Sequence, residues 1–212
     1  MYQNLSRMNR IQYFITMQEI KPHTTLYSFP PVIPGKPLIL ILGTMPGRES
    51  LRLKQYYAFR RNHFWPLMYQ LLGKTENPWE SSYQKRIEFL SKNQIALWDV
   101  YAACIRKKGS LDHSIEQGIP NEILSLLKSN SSIKTIFFNG STASRGFEIY
   151  SESMLLSNPE YNEVMDRISC ILLPSSSPIP TKKCRNITEK YQYWLPVMKA
   201  LTKYLSDLII SD

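Results

Sequence analysis

Cysteine is scarce and scattered in this chain: Cys104, Cys170 and Cys184 are the only three in 212 residues, and no two form a CxxC pair. Neither a zinc site nor an iron–sulfur cluster therefore has ligands at the usual spacing, no metal or cofactor is expected, and the thiols read as buried small side chains. Histidine is equally sparse. His23, His63 and His113 stand in no triad order and no GxSxG elbow is present, which removes the serine hydrolases. The glycine–proline turn at Gly43-Thr44-Met45-Pro46-Gly47 lacks the GK[ST] ending and is not a Walker loop. No apolar run approaches the ~20 residues that cross a bilayer and no signal-peptide core leads the chain, so no membrane association and a cytoplasmic location are expected, close to the nucleoid if the source is bacterial.

What the chain does carry is positive charge. Lys and Arg number 26 against 17 Asp and Glu, a formal net charge of +9. Such an excess favours a polyanionic partner, because every phosphate neutralised by a cation releases condensed counterions. An apolar fraction of 43% with 12% aromatics is that of a globular domain. The length suits one compact unit with a substantial core, expected as a monomer.

Residues 1–34 read as an N-terminal extension of mixed polarity, closing in the proline-punctuated stretch Ser28-Phe29-Pro30-Pro31-Val32-Ile33-Pro34. Residues 35–212 read as a single domain. Its first strand is Leu38-Ile39-Leu40-Ile41-Leu42, stopped by Gly43; further apolar runs are Ile95–Val100, Ile133–Phe138 and Ile168–Leu173. Helix-like stretches fall at Phe64–Leu72, Tyr83–Lys92, Asn121–Lys128, Ser141–Tyr150 and Ile187–Leu208. Strands alternating with helices predict an α/β fold, a three-layer α/β/α domain around a central, mainly parallel four-stranded sheet. Ligands of such sheets sit beyond the carboxyl ends of the strands, so the segments after Leu42, Val100, Phe138 and Leu173 should converge on one cleft.

Three segments at those ends carry chemistry. Gly43-Thr44-Met45-Pro46-Gly47 is a stiff turn whose backbone can approach a ligand and offer amides to an anion or a carbonyl oxygen, or is simply a strand-to-helix turn. Tyr56-Tyr57-Ala58-Phe59-Arg60-Arg61-Asn62-His63-Phe64-Trp65 interleaves aromatics with arginines and one asparagine. That set can stack a flat base, hold phosphates and read a base edge, although aromatics at this spacing also build cores. Pro174-Ser175-Ser176-Ser177-Pro178-Ile179-Pro180 offers small hydroxyls on a proline-stiffened loop with Lys182, Lys183 and Arg185 behind it. Ile179 is either an apolar wedge at its tip or a core side chain.

Taken together these residues resemble the uracil-DNA glycosylase superfamily. GTMPG at 43–47 with YYAFRRNHFW at 56–65 is similar to the first motif region of its mismatch-specific and hypoxanthine branches, a G-x-x-P-G turn followed by N-x-F-W. LPSSSP at 173–178 resembles the second motif, a P-S loop that enters the minor groove, and LWDVYAAC at 97–104, RKKGSLDHSI at 106–115 and IFFNG at 136–140 look like the same branch. The resemblance runs from about Ser28 to Leu208. The mismatch branch has a catalytic asparagine where this chain has Met45, and a thioether is only a weak acceptor. The hypoxanthine (deoxyinosine) branch is similar to this chain in having methionine there, and in it the asparagine corresponding to Asn62 is implicated in catalysis.

The resemblance implies base excision from DNA containing deaminated bases, with hypoxanthine as the leading substrate and no metal. It assigns catalysis to Asn62, a base pocket to Gly43, Thr44, Met45, Pro46, Gly47, Tyr57 and Phe64, with Phe64 stacking the flipped base, and DNA contacts to Arg60, Arg61, Ser175, Ser176, Ser177, Pro178, Ile179, Lys182, Lys183 and Arg185. Two alternatives stay open: a uracil- or xanthine-directed glycosylase, and a DNA-damage-binding module of the same fold that does not cleave.

Overall fold

Short apolar runs that alternate with helices decide the architecture of the computed structural model, which describes residues 25–106, 115–181 and 183–211. In chain order the elements are β1 (Thr25–Tyr27), β2 (Ile39–Gly43), α1 (Arg48–Leu53), α2 (Phe64–Leu71), α3 (Tyr83–Lys92), β3 (Ile95–Asp99), β4 (Tyr101–Arg106) and β5 (Ile115–Pro120). They continue as α4 (Ile123–Ser129), β6 (Thr135–Asn139), α5 (Ser141–Ser157), a 3-10 turn at Pro159–Tyr161, α6 (Asn162–Asp166), β7 (Ser169–Leu173) and α7 (Ile187–Ser211).

Four strands form one parallel sheet in the order β3-β2-β6-β7. β2 and β6 lie in its middle and every residue of both is buried, which is why their sequences are continuous apolar runs rather than alternating ones. Ile39, Ile41 and Phe137 face a core built with Trp65 and Met68 of α2 and Trp194 and Val197 of α7. Leu40, Leu42, Ile136 and Phe138 face a second core with Leu124 of α4 and Phe147 of α5. The three-layer α/β/α arrangement follows from these two apolar faces. β7 closes one edge, and its Cys170 and Leu172 remain exposed although its sequence is as apolar as its neighbours'.

Two features depart from the sequence reading. A second sheet, antiparallel and three-stranded in the order β1-β4-β5, stands beside the first. Register shifts between Tyr101 and Ala103 and between Ala103 and Ile105 break the alternation that would have marked β4 and β5 as a pair. The boundary at residue 34 also moves. Thr25–Tyr27 pairs with β4, and Val32 bridges Leu97 of β3, so residues 25–34 are part of the folded unit rather than an extension.

Register brings the strand ends level. Gly43 is paired with Asp99, Leu42 with Phe138, and Asn139 with Leu173. The segments that follow β2, β3, β6 and β7 thus leave one edge of the sheet together.

Candidate active site

The floor of the site is polar and is set by that register. Asp99 is 3% exposed and its Oδ2 accepts a 2.7 Å hydrogen bond from the Ser28 hydroxyl. Gly43 lies between Asp99 and Asn139 and has to be glycine: a Cβ there would stand 2.3 Å from Asp99 Oδ1 and 2.8 Å from the Tyr57 hydroxyl oxygen. The missing side chain is the space that Tyr57 Oη and the Asp99 carboxylate share. Asn139 then binds the floor to the loops. Its Nδ2 donates to Tyr57 Oη at 2.9 Å and to Ser176 Oγ at 2.9 Å, while its Oδ1 accepts from the Ser176 amide at 2.7 Å.

Tyr57 reaches this position through a left-handed backbone (φ 51°), an uncommon conformation for a bulky residue and one found where function holds the chain. Its ring stacks on Phe64 with centroids 3.9 Å apart and planes 16° from parallel. Phe64 is wholly buried, with Trp65 at 5.1 Å and Trp194 at 6.1 Å edge-on to it. Phe64, expected to stack on a flipped base, has one face covered by Tyr57, and the half-buried ring of the pair is Tyr57.

Asn62 stands just before α2. Its Oδ1 accepts from the Phe64 amide at 2.9 Å, satisfying a donor that the first turn of the helix would leave unpaired. That bond fixes which end of the amide is committed, and Nδ2 has no protein partner among the described residues. Asn62 lines a cleft of about 420 Å³ together with Arg60, Arg61, His63, Pro178 and Arg185. First and second motif regions therefore meet across one opening, with three guanidinium groups around it. Arg185 is held at the start of α7, where Asn186 Oδ1 accepts from the Glu189 amide at 2.9 Å and Glu189 Oε2 accepts from the Arg185 amide at 2.8 Å.

The loop from Pro174 to Thr181 is anchored from below. Trp194 Nε1 donates to Pro174 O at 2.9 Å, and the His63 amide donates to Ser176 O at 2.9 Å. Lys190 of α7 is 1% exposed; its ammonium donates to Ser177 O and lies 3.3 Å from His63 Nδ1. Burial, and then the Lys190 charge, hold the His63 imidazole below its ordinary pKa; burial likewise lowers that of Lys190. Ser176 is buried, Ser175 and Ser177 are half-buried, and Ile179 is 51% exposed at the tip. Lys183 is exposed on the solvent side of the loop, and Lys182 lies outside the described residues.

Thr44, Met45 and Pro46 are buried at the end of β2, with Gly47 half-buried beside them. The structure thus brings together the glycine–proline turn, Tyr57, Asn62 and the serine loop. Sequence reasoning missed Asp99, Asn139 and Lys190. Each strand-end residue had one signal, a lone polar side chain closing an apolar run, in LWD and in FFN. Among the described residues no group of three or more His, Cys, Asp or Glu could hold a metal ion, and no helix is long and apolar enough to cross a membrane.

Known proteins share this sequence pattern and fold. A hypoxanthine DNA glycosylase of Methanosarcina barkeri strain Fusaro is 39% identical over 112 residues, 53% of this chain and 69% of that one. A hypoxanthine DNA glycosylase of Methanosarcina acetivorans is 38% identical over 115 residues, 54% of this chain and 71% of that one. The solution NMR structure of a protein from M. acetivorans assigned to the uracil DNA glycosylases superposes with a TM-score of 0.65 at 30% identity, covering 84% of this chain and 99% of its own. Residues 30–199 match the model of the uracil DNA glycosylase superfamily, which spans both motif loops and the whole parallel sheet. The chain belongs to the uracil DNA glycosylase superfamily.

Proposed function

We propose that this protein is a DNA glycosylase that releases hypoxanthine from DNA in base excision repair. The observation that carries the reading is a thioether, Met45, in the turn and a carboxamide, Asn62, at the cleft. The turn that would present an amide side chain instead holds a thioether, and the carboxamide at the mouth of the cleft is Asn62, with Nδ2 uncommitted. Two relatives with 38% and 39% identity are hypoxanthine DNA glycosylases.

A base stacked inside a duplex must be extruded before its glycosidic bond is reached, at a cost of a few kcal/mol that is smaller for a poor pair. In this site the flipped base lies against Tyr57, whose own ring is backed by Phe64. Water supplies oxygen to C1′ as the electron pair of the C1′–N9 bond leaves with the purine. The water's proton passes to the base, and the products are free hypoxanthine and an abasic sugar. Charge develops on the purine as it departs, and preorganised neutral donors suit that pattern. With Oδ1 committed to the Phe64 amide, Asn62 offers its Nδ2 hydrogens to an acceptor on the base edge. The Ser175–Pro180 loop and the guanidinium groups of Arg60, Arg61 and Arg185 grip the backbone, Lys182 and Lys183 add their charge to that grip, and Ile179 occupies the vacated stack. Both motif loops come from one copy of the chain, so a monomer acting on intracellular DNA suffices.

The test is a cleavage assay with alkali on duplexes carrying hypoxanthine, uracil or xanthine. Strand breaks predominantly at hypoxanthine are expected. Breaks only at uracil or xanthine would reassign the substrate, and binding without breaks on all three would leave a damage-binding module.

A further inference from the structure

Every carbonyl of the Gly43–Gly47 turn is taken by a protein donor. Gly43 O accepts from the Val100 amide at 2.9 Å, Thr44 O from the Tyr101 amide at 3.1 Å, and Gly47 O from the Leu51 amide at 2.9 Å. The remaining two go to one side chain, Arg106 at the end of β4, whose Nη1 donates to Pro46 O at 2.7 Å and Nη2 to Met45 O at 3.2 Å. In a trans peptide the C=O and the following N–H point opposite ways. Holding Pro46 O against β4 therefore sends the Gly47 N–H away from β4, and the bond from Tyr101 to Thr44 O does the same to the Met45 N–H. These two amides donate to no protein acceptor among the described residues. Pro46 has no N–H, so the peptide between Met45 and Pro46 could not hold itself by a backbone bond in both directions. A guanidinium fork spans both carbonyls where a single-point cation would reach one.

We propose that Arg106 is a positioning residue for cleavage of the glycosidic bond, fixing the turn so that the Met45 and Gly47 amides face the departing base. Its charge lies behind the turn, at the negative ends of the two carbonyl dipoles it holds. The potential on the pocket side is then set by the amides. The role rests on the glycosylase reading, since its effect is on the base as the C1′–N9 electron pair moves onto it.

Single-turnover cleavage should be compared for the wild type, Arg106→Gln and Arg106→Lys on duplexes carrying hypoxanthine or 2-fluorohypoxanthine, whose anion is intrinsically more stable. Melting temperature and affinity for the uncleaved duplex are measured alongside. Arg106→Gln should lose roughly 100-fold in rate on hypoxanthine, the scale of one oxyanion-hole donor, with duplex affinity kept. Its deficit should narrow on the fluorinated base, which needs less help to leave, and Arg106→Lys should fall between the two. Should the glutamine variant not fold, the lysine variant carries the same comparison. Equal deficits on both bases, or a rate within about threefold of wild type, would overturn the role. A wild type inactive on both bases would overturn the glycosylase reading and this role with it.

Discussion

Tyr57 lies flat on Phe64, 3.9 Å between ring centroids, and puts its hydroxyl over the Cα of Gly43. On the proposed reading the inner ring is a support and the outer ring a platform for the base. Base stacking on an aromatic side chain is worth ~1–3 kcal/mol, so Tyr57→Ala should weaken binding of the extruded substrate by about 5- to 150-fold. Tyr57→Phe keeps the ring and should keep most of that affinity. Fluorescence titration with abasic and hypoxanthine duplexes separates the two, and equal losses in both variants would assign the effect to the hydroxyl.

Asn62 both caps a helix and presents a donor, and two substitutions part those tasks. Asn62→Asp retains an oxygen for the Phe64 amide but no N–H; Asn62→Ala loses both. The aspartate variant should keep the wild-type melting temperature and still lose at least ~100-fold in single-turnover rate. The alanine variant should lose a similar rate and in addition ~1 kcal/mol of stability for the missing cap. Full activity in Asn62→Asp would remove the donor from the mechanism.

Ile179 is 51% exposed on a tip flanked by two prolines. Truncation to alanine should leave the melting temperature unchanged and slow cleavage of a well-paired duplex about tenfold, a fraction of the unstacking cost. Cleavage of a single strand should be spared. Equal losses on both substrates would move the wedge to Ser177 or Pro178.

Arg60, Arg61 and Arg185 surround the cleft and, with Lys182 and Lys183, supply the phosphate contacts of the proposal. Each phosphate left without its cation should lower the slope of log affinity against log salt by about one unit on duplex DNA. An unchanged slope in the triple Arg60→Gln, Arg61→Gln, Arg185→Gln variant would place the DNA on another face.

His63 gives the fold a dependence on acid. Burial and the Lys190 charge hold its pKa below the ordinary value, whereas the unfolded chain takes up the proton near pH 6.5. The unfolded state then binds more protons below that pH, so stability is full above it and falls as the pH drops through it. Between pH 7 and pH 5 the melting temperature should fall further in the wild type than in His63→Gln. Identical falls would acquit His63.

The parallel sheet was legible because β2, β3 and β6 are apolar runs stopped by Gly43, Asp99 or Asn139-Gly140, and burial on both faces demands such runs. β7 was legible as a strand but not as an edge, since exposure of Cys170 and Leu172 depends on having no neighbour beyond them. The site was harder. Asp99 and Asn139 look like ordinary strand endings until the register sets Asp99 beside Gly43 and puts Asn139 one strand away on the other side. Lys190 reads as a solvated helix lysine, and only the packing of α7 under the serine loop makes it a buried one. Tyr57 and Phe64 sit in one aromatic run, and no feature of that run says which ring covers the other.

Asn139 makes the site mechanically one piece. Its single carboxamide grips the hydroxyl of the ring meant for the base and the backbone of the loop meant for the phosphates. On the proposed reading, a backbone gripped by the loop and a base lying on Tyr57 would both bear on the one carboxamide of Asn139.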